Sequence, residues 1–208
     1  MTIKQALGAI ALVAATTVIT AEVVSQSYEG QVADAEAAAA AEMEQWMALG
    51  QPAKEHEEMA AQIGEWKQVQ KHWMAPGMEP CMGSTILKVK SIFDGRFLVE
   101  EVAGTFVMDG QEMPTEGLGV FGYDRVKAKH FFVWFDSMST GCMYGEGDKN
   151  ADGEIVYFSE MAEPNGNTMK IKSIARMSDS SANEFTMHRQ MPDGSWFKMM
   201  DATATRLP

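Results

Sequence analysis

The chain has 208 residues, 46% of them hydrophobic, with a formal net charge of -12 and a pI of about 4.7. That length holds one domain or at most two small ones, and the negative charge would repel a polyanion, so nucleic acid is excluded as the expected partner. Two cysteines, Cys81 and Cys142, are too few to build a fold on disulfides.

Met1 to Gln5 carries one positive charge, Lys4, and is followed by an uncharged run from Ala6 to Ala21, ALGAIALVAATTVITA. This is the form of a secretory signal, shorter than the roughly 20 residues a bilayer span needs. Residues 1–27 are expected to be either a cleaved signal peptide or a retained signal anchor, with residues 6–24 as the membrane-attached segment in the second case. The expected location is therefore outside the cytoplasm, periplasmic or held at the membrane. Residues 28–52 change composition to an alanine- and glutamate-rich, acidic helical linker. Met43, Trp46 and Met47 share one face of it, at helical spacing. The stripe belongs either to a solvated spacer or to a helix that docks on an envelope protein partner, with Trp46 as anchor. Pro52 suits the start of a second helix, a short amphipathic one from Ala53 to Ile63 that Gly64 ends.

From Glu65 the pattern changes to period 2, and residues 53–208 are expected to form one β-barrel domain. Ten strands are predicted: 65–74, 85–93, 97–107, 116–123, 130–138, 143–146, 155–161, 168–177, 184–191 and 196–204. Asp94-Gly95, Asp109-Gly110, Asp152-Gly153, Asn165-Gly166 and Asp193-Gly194 separate strands as tight hairpin turns. Ten short strands in meander order fit an antiparallel up-and-down barrel, which leaves no edge to protect. The fold class is thus mainly β, with helices before the barrel.

Alternation puts His130, Phe132, Trp134, Asp136 and Met138 on one face of the fifth strand, after Tyr123 at the preceding bend. Arg189 shares a later strand with Met187 and is placed to pair with Asp136 across the barrel. These residues make either a polar anchor in an apolar pocket or a ligand-free buried pair. Asp148, Asn150 and Asp152 match the first half of a calcium loop, but its twelfth position is Ser159, so a plain hairpin is favoured. Cys81 and Cys142 could bridge in an oxidising compartment. Eighteen methionines read first as adaptable core filler. A soft-metal site is the alternative reading, without a Met-x-x-Met, two-His or Cys-x-x-Cys cluster to support it.

His56, Gly64 and Trp66 in H-x7-G-x-W are followed by Pro76-Gly77, Gly95-Arg96-Phe97, Gly122-Tyr123-Asp124, Trp134-x-Asp136-Ser137, Asp152-Gly153 and Asp193-Gly194. The succession resembles the bacterial DUF1579 family over about residues 55–206. The resemblance implies a lipocalin-like barrel with a short helix before its first strand, and no particular activity.

No P-loop, G-x-S-x-G, H-E-x-x-H or haem C-x-x-C-H is present, so an enzyme is the less favoured reading and no cofactor is expected. Two functions remain. The barrel binds a small apolar or amphipathic ligand, or the protein is a structural subunit of an envelope assembly held through its N-terminal helices.

Overall fold

Consecutive antiparallel strands joined by short connections close on themselves when the last can hydrogen-bond the first, and this chain does so. A computed structural model describes residues 30–108, 110–177 and 181–208. The expected signal segment, residues 1–27, lies outside them. The chain divides into two units, residues 1–50 and 51–208. In the first, α1 covers residues 30–49, and its Met43, Trp46 and Met47 are exposed. No helix among the described residues is long and apolar enough to cross a membrane.

The second unit begins with α2 (Lys54–Ala60) and continues with β1 (Gly64–His72), β2 (Cys81–Ile92), β3 (Phe97–Met108), β4 (Gln111–Asp124) and β5 (Lys129–Asp136). It ends with β6 (Met143–Lys149), β7 (Ile155–Ala162), β8 (Thr168–Met177), β9 (Ala182–Gln190) and β10 (Trp196–Arg206). Each strand pairs antiparallel with the next and β10 pairs with β1, giving a closed ten-stranded up-and-down barrel. The turn dipeptides sit where the sequence requires them. Gly153 and Gly194 have φ of +81° and +85°, values that a side chain disfavours.

Two strands start earlier than their composition suggests, β2 at Cys81 instead of Thr85 and β4 at Gln111 instead of Glu116. Register explains both: Gly83 and Pro114 have poor intrinsic strand signals but lie opposite paired residues, Gln70 and Thr105. β5 stops at Asp136, short of the predicted end at Met138. The Asp136 carboxylate accepts the Met138 N–H at 3.0 Å, and this local bond turns the chain.

The barrel has a closed end and a far end. At the closed end lie α2 and the turns that follow β2, β4, β6 and β8. α2 packs on β3 and β4 and sends Met59 into a core of Trp66, Leu87, Val89, Leu98, Val102 and Ala204. Trp66 is 1% exposed. Its indole donates to the Gln62 carbonyl at 2.9 Å, and the Arg206 guanidinium lies 4.1 Å over its ring. Arg206 in turn donates to the Ile63 carbonyl at 2.7 Å and to that of Ala61. The last strand thereby holds the C-terminal end of α2, whose carbonyls would otherwise lack partners. A second cluster of Phe132, Ile155 and Tyr157 joins the first through Phe121 and Trp134.

Candidate ligand site in the barrel

Strand pairing fixes which side chains face inward. From β4 the pattern G-L-G-V-F-G brings Gly117 and Gly119 to the inner wall opposite Asp136 and Trp134. A Cβ on Gly117 would meet the Trp134 ring, and one on Gly119 would meet Phe121 and Trp134. These glycines therefore let the aromatic rings lie flat along the wall. Gly145 does the same for Phe132.

The predicted site residues divide by height in the barrel. His130 and Tyr123 are inner-face partners near the closed end, with rings 4.9 Å apart. His56 of α2 packs edge-on against Tyr123 at 6.0 Å. His130 is 5% exposed, and its burial lowers its pKa, holding the imidazole neutral. Phe132 and Trp134 follow at mid-height, and the Trp134 indole donates to Asp136 at 3.1 Å. Asp136 is at the far end. His130 and Asp136 thus face the same lumen from different levels.

Three expectations are corrected. Met138 is on the turn after β5 and 61% exposed, because the Asp136 turn takes it out of the strand. Arg189 pairs with Glu163 at 3.1 Å, not with Asp136, which is occupied by Trp134 and the Met138 N–H. Cys81 and Cys142 are both free thiols. Cys81 opens β2 and Cys142 precedes β6, four strands round the barrel, beyond disulfide reach at roughly 4.8 Å per strand. The segment around Asp148, Asn150 and Asp152 is a hairpin. Asp148 pairs with Lys129, and the Asn150 side chain accepts the Asp152 and Glu154 N–H groups at 3.0 and 2.9 Å. These bonds use the oxygens that a calcium loop would turn inward.

The residue that sequence reasoning missed is Glu100. It lies at mid-height on the inner face of β3, opposite Val89 and Gly119. Desolvation pushes its carboxyl up to about 7. Yet its surface is only half-buried. The carboxyl is thus desolvated within the wall while part of the side chain stays accessible. Its inward position follows from alternation with Leu98 and Val102, but a Glu-Glu pair in a strand reads as solvent-facing. Other inner-wall polar atoms lack a protein partner: His130 Nδ1, Ser159 Oγ, Ser173 Oγ and Arg189 Nε. Phe106, Met113, Met143, Met187 and Met200 face inward at the far end and remain half-buried. The two best-formed surface depressions lie over turns instead, one at Lys149, Asp152 and Arg176 and the other at Pro76, Met191 and Trp196. Neither gathers the convergent groups found inside.

A closed antiparallel ten-stranded barrel with a helix across one end is a calycin-like fold. The chain belongs to the DUF1579 family of proteins of unknown function, whose pattern matches residues 51–206. No curated protein matches it. Among solved structures it is similar to Rv2717c from M. tuberculosis, with a TM-score of 0.53, 13% identity, and 76% of this chain and 100% of that one covered. It is also similar to the S-type phycobiliprotein lyase CPES from Guillardia theta, with a TM-score of 0.50, 9% identity, and 73% and 92% covered. At these identities the likeness is one of fold.

Proposed function

We propose that the barrel binds a small, largely apolar molecule carrying at least one polar group, taken in through the far end. The observation that carries this is Glu100, an inward carboxyl desolvated by the barrel wall whose side chain is nonetheless only half-buried. A protonated Glu100 can donate to a carbonyl, and an ionised one can accept from a hydroxyl or an amine. Ser159, Ser173 and Arg189 offer further polar contacts, while Phe106, Trp134 and the methionines offer an adaptable apolar surface. The similar fold of a phycobiliprotein lyase agrees with a barrel that handles another molecule, without naming this one.

The test is denaturing extraction of the full chain purified from its native host, with mass spectrometry of what is released. A stoichiometric organic compound is expected, and its retention should fall in Trp134→Ala and Glu100→Ala while both variants remain folded. A protein that releases nothing, and takes up no amphipathic fluorescent probe, overturns the reading.

Export belongs to the proposal and rests on the sequence of residues 1–27. Mature protein in the cytoplasmic fraction would remove it. A second reading, a subunit held by its N-terminal helices, draws on Trp46, which is 58% exposed on α1 between Met43 and Met47. Deleting residues 1–49 should then free the protein from its partners with the barrel still folded. Unchanged co-purification would discard it.

A further inference from the structure

The β-register assembles a row of soft donors that short-range sequence spacing does not show. On the inner face at the far end, Cys81 of β2 is the cross-strand partner of His72 of β1. His72 is also the partner of Met200 of β10, and Met200 is the partner of Met187 of β9. Four adjacent strands thus present thioether, thioether, imidazole and thiol in one unbroken line. Their inward direction follows from neighbours on the same faces: Gln70, Thr85, Ala202 and Ser173 are all buried. Directly opposed residues in an antiparallel pair have Cβ atoms about 4.5–5.5 Å apart. Neighbouring side chains in the row can share an ion from that spacing, so Cys81, His72 and Met200 fall within reach of one point and Met187 stands one strand further along.

His72 is prepared for such a role. Its Nε2 lies 2.8 Å from Gln70 Oε1. The Gln70 amide is oriented by its own nitrogen, which donates to Thr85 Oγ1 at 3.0 Å and to Gln68. The oxygen facing His72 can only accept, so Nε2 must carry the proton. Nδ1 is then the ring's lone pair. A hydrogen-bonded chain behind one imidazole nitrogen, leaving the other free, is the usual support for a metal-binding histidine. All four donors are only half-buried, so an ion entering at the far end reaches them.

We infer that Cys81, His72, Met200 and Met187 form a binding site for a soft monovalent cation, Cu(I) in chemical class. Thioethers and a thiol favour Cu(I), whereas magnesium, calcium and manganese prefer oxygen donors. Two thioethers among four ligands also argue against zinc, which takes thiolate, imidazole or carboxylate. Among the described residues no three His, Cys, Asp or Glu side chains gather into a metal site. The methionine sulfurs complete this one. The site shares the lumen with the proposed organic ligand but does not depend on it.

The experiment is a competition of the full chain against a chromogenic Cu(I) chelator under ascorbate. About one Cu(I) per chain should be withheld from the chelator. Cys81→Ser and His72→Gln should each weaken retention on the order of tenfold to hundredfold, and the paired Met187→Leu, Met200→Leu variant by a lesser factor. Cys142→Ser should change nothing, since Cys142 is exposed on the β5–β6 turn. X-ray absorption of the loaded wild-type protein should show sulfur-dominated ligation with one nitrogen. No retention, retention that follows Cys142 instead of Cys81, or an oxygen-rich absorption spectrum would each overturn the site. Copper retention and release of an organic molecule are separate readouts, so either reading can fail alone.

Discussion

The two ends of this barrel are built from different materials. The closed end is packed with Trp66, Leu87, Leu98, Met59 and Ala204, all buried, and sealed by α2. The far end carries methionines, Phe106, Cys81, His72 and Arg189, mostly half-buried. One strand can serve both purposes because its two ends face different neighbours: β1 begins its inner face with Trp66 and finishes it with Gln70 and His72. The difference is a division along the barrel axis, with close apolar packing concentrated at one end and half-buried polar and sulfur-bearing side chains at the other.

The largest test of that division is Trp66→Ala. It removes a fully buried indole, its bond to Gln62 and the surface under Arg206, so a loss of about 3–5 kcal/mol is expected in thermal or denaturant unfolding. Met113→Ala at the far end should cost well under half of that. Equal costs would mean that the far half is packed solid, and the ligand reading would lose its space. Next comes Glu100 at the boundary. Its folded pKa of about 7 stands above the unfolded value of 4.5. Between those two pH values the unfolded chain gives up its proton while the folded one keeps it, so stability falls as pH rises and then stays lower above 7. The change is at most roughly 3 kcal/mol. Glu100→Gln should abolish that slope between pH 4.5 and 7. A slope that survives would place the titrating group elsewhere. Gly117→Ala is third, at about 1–3 kcal/mol, because the new methyl must push the Trp134 ring off the wall. Near-UV circular dichroism should change with it. An unchanged spectrum would show that the ring is free to move.

Much of the architecture was legible in the residues. The strand count, the meander order and the turn glycines follow from period-2 runs broken by Asp-Gly and Asn-Gly, signals that are local to the chain. The succession that includes H-x7-G-x-W also implied the short helix before the first strand. Arg206 gave no such sign, because its contact with Trp66 spans nearly the whole domain and leaves no mark near either residue. Alternation placed Trp134 and Asp136 on one face, but it could not say that the Asp136 carboxylate would turn the chain and expose Met138. Nor could it choose Glu163 over Asp136 for Arg189, since partners across a barrel depend on register. Glu100 and the Cys81–His72–Met200 row were hidden for the same reason. Their meaning lies in which strands stand side by side, and no window along the sequence contains that.

The smallest expected effect decides what holds the sealed end shut. α2 is tied to β6 by an ion pair, Lys149 to Glu58 at 2.7 Å, and the hydrogen bond from Lys149 lowers the Glu58 pKa. The folded state therefore gains stability from this pair above the unfolded Glu pKa and loses it as pH falls through the lowered value. Both side chains are substantially exposed, so solvent and salt screen the attraction and its contribution is about 0.2–1 kcal/mol. Met59, two positions from the helix centre on the inner side, is 5% exposed, and Met59→Ala should cost roughly 2–5 kcal/mol. Glu58→Gln should accordingly shift the unfolding midpoint only slightly, with the shift vanishing in high salt, while Met59→Ala should loosen α2 at any ionic strength. If Glu58→Gln cost as much as Met59→Ala, α2 would be an electrostatic latch that acid can open. The closed end would then be a second entrance, and the contrast between the two ends would have to be drawn differently.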